Sequence, residues 1–183
     1  VMVYGLNEPE RFGAMRAERE QFPIWYEIDV RAGTVRELGA SRGRYSAENN
    51  WHLPHMAATR DFVLDFDGNE VLLQPIEDLG TERARVLGTH SARVVAVSCD
   101  REGRFAASLD VEKRIRVWSL DSEAENPVRE FSLDPDLTAD APWLEFDPHR
   151  PRLFATFGPG FEIFDFDGTP PLRGRRYTDR SVW

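Results

Sequence analysis

Four segments of the chain share one pattern at a constant spacing: Ile24–Gly33 (IWYEIDVRAG), Val71–Gly80 (VLLQPIEDLG), Ile115–Ser122 (IRVWSLDS) and Phe161–Gly168 (FEIFDFDG). With Ile28, Gln74, Trp118 and Phe164 as equivalent points, the steps are 46, 44 and 46 residues. A period of about 45 that holds several short strands marks a repeat array. Each unit is too small to hide its apolar faces alone, so the units must stack.

The clearest unit runs from Arg83 to Leu120. Arg83–Leu87 can be a strand ending at Gly88. Val94–Cys99 is apolar and β-branched, as expected of a strand covered on both faces. Asp100–Gly103 carries turn chemistry. Phe105–Ser108 resumes extended structure, Asp110–Lys113 turns again, and Arg114–Leu120 alternates as a strand does. Thr34–Leu38, Arg83–Leu87 and Val128–Leu133 resemble one another and also read as fourth strands, each following the third strand of a unit. Phe62–Phe66 and Glu70–Gln74 flank Asp67–Gly68–Asn69, a hairpin turn. Trp143–Phe146 and Leu153–Phe157 precede a shorter hairpin at Gly158–Gly160.

These features predict an all-β chain. The expected fold is a β-propeller segment of about three to four blades, each a four-stranded antiparallel sheet. The units fall near 1–38, 39–87, 88–133 and 134–183 of a single partial domain. Met2–Gly5 reads as a second strand with nothing before it, and the last unit ends near Trp183. Remaining blades of a longer polypeptide are therefore the expected neighbours, since an open stack exposes sheet faces and edges. Three long stretches interrupt the rhythm. Leu6–Phe22 joins a second strand to a third and carries helix formers over Ala14–Gln21. Gly39–Ala58 and Asp134–Pro142 join fourth strands to the next first strands.

Composition narrows the function. The 183 residues are 41% apolar, enough for a folded core, and carry a net charge of −9. A net-acidic chain lacks the electrostatic footprint of a nucleic-acid binder. The local basic stretch Arg173–Arg180 reads as a solvated charge run. No apolar run approaches the ~20 residues of a membrane helix. The single cysteine, Cys99, permits neither an internal disulfide nor a thiolate zinc cluster, and it reads as an inert thiol in a cytoplasmic chain.

The second full unit resembles a WD-repeat. The resemblance is carried by Leu87-Gly88-Thr89-His90-Ser91, Val94, Val97, Glu102-Gly103, Ala107-Ser108 and Ile115-Arg116-Val117-Trp118-Ser119-Leu120, with His90 and Trp118 28 residues apart. Thr89 and Ser119 stand where the family has glycine and aspartate, and the other units hold Ile28, Gln74 and Phe164 at the tryptophan position. The resemblance implies a hydrogen-bonded network within the blade, formed by His90, Ser108, Glu112 (or Asp110) and Trp118. It also implies that the loops on one rim contact protein partners.

Chemical motifs are few. Gly39-Ala40-Ser41-Arg42-Gly43 matches the G-x-S-x-G elbow, but no amphipathic helix follows, so it reads as a loop between blades. Asp65-Phe66-Asp67-Gly68-Asn69 begins like a calcium loop, yet Glu70 and Ile76 stand where glycine and glutamate are needed. His52 and His55, with Glu48 nearby, fall short of a convincing metal set. No phosphate-binding or dinucleotide glycine pattern is present. The expectation is no catalytic, metal or cofactor site, and a partner-binding rim of Arg11, Phe12, Arg42, Arg44, Tyr45, Trp51 and His52, rich in hot-spot residue types. The function expected is a non-catalytic protein–protein interaction scaffold or regulatory region of a larger protein. The alternative is the propeller part of an enzyme, as a serine hydrolase lid or signalling kinase appendage.

Overall fold

The computed structural model describes residues 2–5, 11–16, 24–42, 57–59, 61–81, 83–121, 127–133, 142–147, 149–150, 152–157 and 161–165. The first sheet is β1 (Met2–Gly5), β2 (Arg11–Arg16), β3 (Ile24–Asp29) and β4 (Thr34–Ala40), in that order. The second is β5 (Ala57–Ala58), β6 (Phe62–Asp67), β7 (Glu70–Pro75) and β8 (Arg85–Thr89). The third is β9 (Val94–Cys99), β10 (Phe105–Asp110), β11 (Arg114–Ser119) and β12 (Arg129–Ser132). The fourth, as described, is β13 (Pro142–Phe146), β14 (Arg152–Phe157) and β15 (Phe161–Asp165). Every pairing is antiparallel between consecutive strands. Tight turns make this order, since antiparallel neighbours need only a short link. Asp67 pairs with Glu70 across Gly68–Asn69. Asp100 accepts the Arg104 and Phe105 N–H groups at 2.6 and 2.7 Å and closes the β9–β10 turn.

The sheets stack in series because alternate residues of one strand face opposite neighbours. Leu64, Val71 and Leu87 of the second sheet pack with Val94, Val97, Ala106 and Trp118 of the third. The other face of the third sheet, with Ala96, Ala107, Leu109, Ile115 and Val117, packs with Leu144, Phe146, Leu153, Ala155 and Phe164 of the fourth. Trp25 of the first sheet packs with Val63 and Leu79 of the second. The β9 strand is therefore buried on both sides, as its unbroken apolar run requires.

Three sequence expectations are corrected. Met2–Gly5 is a first strand, paired with Arg11–Arg16, which is itself a strand rather than part of a connection. Local helix propensity over Ala14–Gln21 yields, at Ala14–Arg16, to ladders on both sides: Met15 lies opposite Met2 and Trp25. Propensity is a weak prior against such pairing. Second, the Gly39–Ala58 stretch contains the first strand of its sheet, β5, only two residues long. Third, the Arg83–Leu120 unit does not form one sheet. Its first strand, β8, pairs with β7 and is the outer strand of the preceding sheet. The strand Arg83–Leu87 thus holds the fourth place of its sheet, as Thr34–Leu38 and Val128–Leu133 do in theirs.

Candidate functional site

The chain crosses from one sheet to the next immediately after β4, β8 and β12. The first residue past each outer strand is Ser41, His90 and Leu133, and all three are buried. Strand register defines what each faces. Val63 lies opposite Gln74, Ala106 opposite Trp118, and Leu153 opposite Phe164. The fourth residue of the second strand is then Asp65, Ser108 and Ala155 in turn. Phe12 lies opposite Ile28, which places Ile28 at the same point of the first sheet. The spacing read from the sequence is therefore a register identity.

At the second seam His90 is the centre. Its Nε2 lies 2.5 Å from Ser108 Oγ and its Nδ1 lies 2.9 Å from Asp110 Oδ2. A carboxylate can only accept, so Nδ1–H donates to Asp110 and the Ser108 hydroxyl donates to Nε2. Burial lowers the His90 pKa below its ordinary 6.5, against the hydrogen bond and charge of Asp110, which raise it. A neutral ring with one donor and one acceptor fits this environment. The Arg114 N–H donates to Asp110 Oδ1 at 2.9 Å, so the carboxylate is held from both ends.

Glu112, favoured over Asp110 by counting back from Trp118, is not at the histidine. It is exposed on the β10–β11 turn, 3.1 Å from Arg114. Trp118 is buried beside His90 with ring centroids 5.9 Å apart and planes at 66°. Its indole N–H has no hydrogen-bond partner among the described residues. The expected network closes at histidine, serine and aspartate, and the tryptophan contributes packing. Gly88 makes room for it: a Cβ there would lie 2.7 Å from the indole nitrogen.

The first seam carries different polar chemistry, which sequence reading missed. Ser41 Oγ donates to Asp65 Oδ2 at 2.6 Å, both residues buried. Buried Gln74 accepts the Arg42 N–H at 3.1 Å and donates to Asp78 O at 3.0 Å. The Ser41 hydroxyl is thus buried rather than exposed, and Asp65 faces the seam. The signal was available: Ser41 follows Gly39 by two residues, as His90 follows Gly88. The third seam is apolar, with Leu133, Ala155 and Phe164 in one core.

The rim residues that are described, Arg11, Phe12 and Arg42, do not gather in one place. Arg11 and Phe12 belong to β2, opposite Asp29 and Ile28, at the end of the first sheet that carries the Val30–Gly33 turn. Arg42 follows Ala40, which pairs with Ile24 at the other end. Five or six strand residues separate the ends by roughly 17–20 Å. Arg44, Tyr45, Trp51 and His52, like His55 and Glu48, lie outside the described residues. Cys99 has its thiol pKa pushed up to about 12 by burial and by the Asp100 charge.

No family model matches the chain, and no curated protein matches it. A solved structure does. The crystal structure of the Cps50 (Swd1) β-propeller domain of Myceliophteria thermophila superposes with a TM-score of 0.53 at 20% identity, over 70% of this chain and 39% of that one. The chain therefore spans well under half the length of this solved relative. Stacked antiparallel four-stranded sheets, joined outer strand to inner strand, together with that likeness, make this chain a β-propeller segment.

Proposed function

We propose that this chain is a non-catalytic, protein-binding region of a larger β-propeller protein, a rigid scaffold acting in the cytoplasm. The observation that carries the reading is where its reactive side chains go. Ser41, Asp65, His90 and Asp110 are buried and bonded across seams or within sheets, which is the work of holding a scaffold rigid. No helix among the described residues is long and apolar enough to cross a membrane. The likeness to a β-propeller domain more than twice as long as the matched stretch supports further blades in the same polypeptide. The units 1–38, 39–87, 88–133 and 134–183 then form one partial domain.

The binding surface is the stretch of chain that follows β4, with Arg42, Arg44, Tyr45, Trp51 and His52 as its contact residues. Arg11 and Phe12 belong to the other end of the first sheet and drop out of it. Aromatic and arginine side chains are the types that dominate interface energetics. The test places a photo-crosslinking residue at His52 in the full chain and compares it with Tyr45→Ala/Trp51→Ala. A discrete crosslinked polypeptide that disappears in the variant, with its circular dichroism unchanged, supports the rim. Crosslinking indifferent to that variant, or none, removes it.

A further inference from the structure

We propose that Ser41, Asp65 and Gln74 are a clasp that locks the chain to the second sheet at the point where it leaves the first. They do so at the register positions that His90, Ser108 and Trp118 fill one blade later. Three consecutive residues each make one bond to the second sheet. Ala40 O accepts the Gly80 N–H at 2.8 Å, Ser41 Oγ donates to Asp65 Oδ2 at 2.6 Å, and the Arg42 N–H reaches Gln74 Oε1 at 3.1 Å. Gln74 also donates to Asp78 O at 3.0 Å and Thr81 O at 3.3 Å, so one side chain ties the departing strand to the turn after β7. Gly39 completes the joint. A Cβ there would lie 2.8 Å from Leu79 O, and its φ of +128° is one that glycine alone adopts at little cost.

The chemistry is self-consistent. The Ser41 and Gln74 groups that approach Asp65, Arg42 and the Asp78–Thr81 carbonyls meet opposite hydrogen-bonding character, and each is buried to within 2% of full burial. Buried polar groups fix geometry only when they are satisfied, and satisfied sets specify one arrangement. Leu133, Ala155 and Phe164 show that the same positions also work without any polar atom. The hydrogen bonds at the first seam therefore do more than fill space: they fix the chain against the second sheet from Ala40 to Arg42 as it leaves β4. The clasp holds whether or not this chain binds a partner.

Native-state hydrogen exchange on the full chain tests this. Arg42 is exposed and lies beyond the end of β4. Its amide is expected to exchange as slowly as those of β4, and Gln74→Met is expected to accelerate it at least about tenfold while the Val94–Cys99 amides hold their rates. A wild-type Arg42 amide that exchanges at the unstructured rate overturns the proposal, even if the variant does not fold. So does a Gln74→Met chain in which Arg42 is unaffected or in which Val94–Cys99 accelerates equally. A second readout is the urea midpoint of Ser41→Ala, Asp65→Leu and the double variant. Removing both partners costs less than the two single losses together if they bond across the seam. Strict additivity refutes the pairing.

Discussion

Gly88→Ala is the sharpest test of the seam geometry, because it adds one methyl group where the structure leaves no space. The new Cβ would lie 2.7 Å from Trp118 Nε1 and 3.0 Å from Cε2 and Cζ2. Real Cβ contacts of that length do not persist, so either the β8 backbone or the indole must move. The indole is 1% exposed and wedged between sheets, against His90 on one edge. Close-packed interiors resist such shifts. Overpacking of this kind costs about 1–3 kcal/mol. At this chain length that corresponds to a melting temperature lower by about 2–12 °C. The third seam shows how the clash is avoided. Phe131, opposite Ile115, stands where Gly88 stands opposite Val71, and Phe164 replaces the indole, with ring centroids 4.6 Å apart. Trp118→Phe alone is expected to cost about 1–2 kcal/mol through lost buried surface. Gly88→Ala/Trp118→Phe is expected to fall short of the summed losses by about 1 kcal/mol, since the smaller ring vacates the contact. Differential scanning calorimetry of the four proteins decides it. A Gly88→Ala protein melting within about 1 °C of wild type, or purely additive losses, would refute the close approach.

Three further outcomes follow from the same geometry. Burial holds the folded-state pKa of His90 below 6.5, so below that pH the unfolded chain binds more protons. Stability is full above pH 6.5 and falls as pH drops through it toward the folded value, by up to about 1.4 kcal/mol per pH unit, and urea midpoints between about pH 7.5 and 5.5 should lose this component in His90→Leu. Asp110→Ala leaves the His90 Nδ1–H and Arg114 N–H without their acceptor and is expected to cost about 1–3 kcal/mol in urea denaturation. Glu112→Ala, which removes an exposed ion pair, should stay within about 0.5 kcal/mol, and equal costs for the two would reverse their assigned roles. Half-buried Cys99, its thiol pKa pushed up to about 12, should resist alkylation at neutral pH in the folded chain and react faster on addition of urea; labelling at the free-thiol rate without denaturant contradicts the raised pKa.

What the sequence showed and what it hid divide along one physical line. The period was legible because Gln74, Trp118 and Phe164 sit at one register point, and register repeats wherever the same hairpin is built. Strand β2 was hidden because AMRAEREQ reads as helix locally, and only pairing on both sides keeps its first residues extended. Two-residue β5 offers no alternation to detect. Asp110 and Glu112 differ by which way a turn residue points. Lys113 adopts a left-handed φ of 67° there, and the Arg114 N–H then meets the Asp110 carboxylate, a choice that residue counting does not contain. Ser41 and Asp65 were each read inside a contiguous motif, whereas their bond joins residues 24 apart. The seams explain why one tryptophan position can hold Trp, Gln or Phe. Indole goes with glycine, histidine and serine; amide goes with glycine, serine and aspartate; phenyl goes with phenylalanine, leucine and alanine. Each residue is intelligible only with the others it meets across the seam. Exchange of one member should therefore be costly at every seam, and exchange of a matched set should be the change a propeller of this kind accepts most readily.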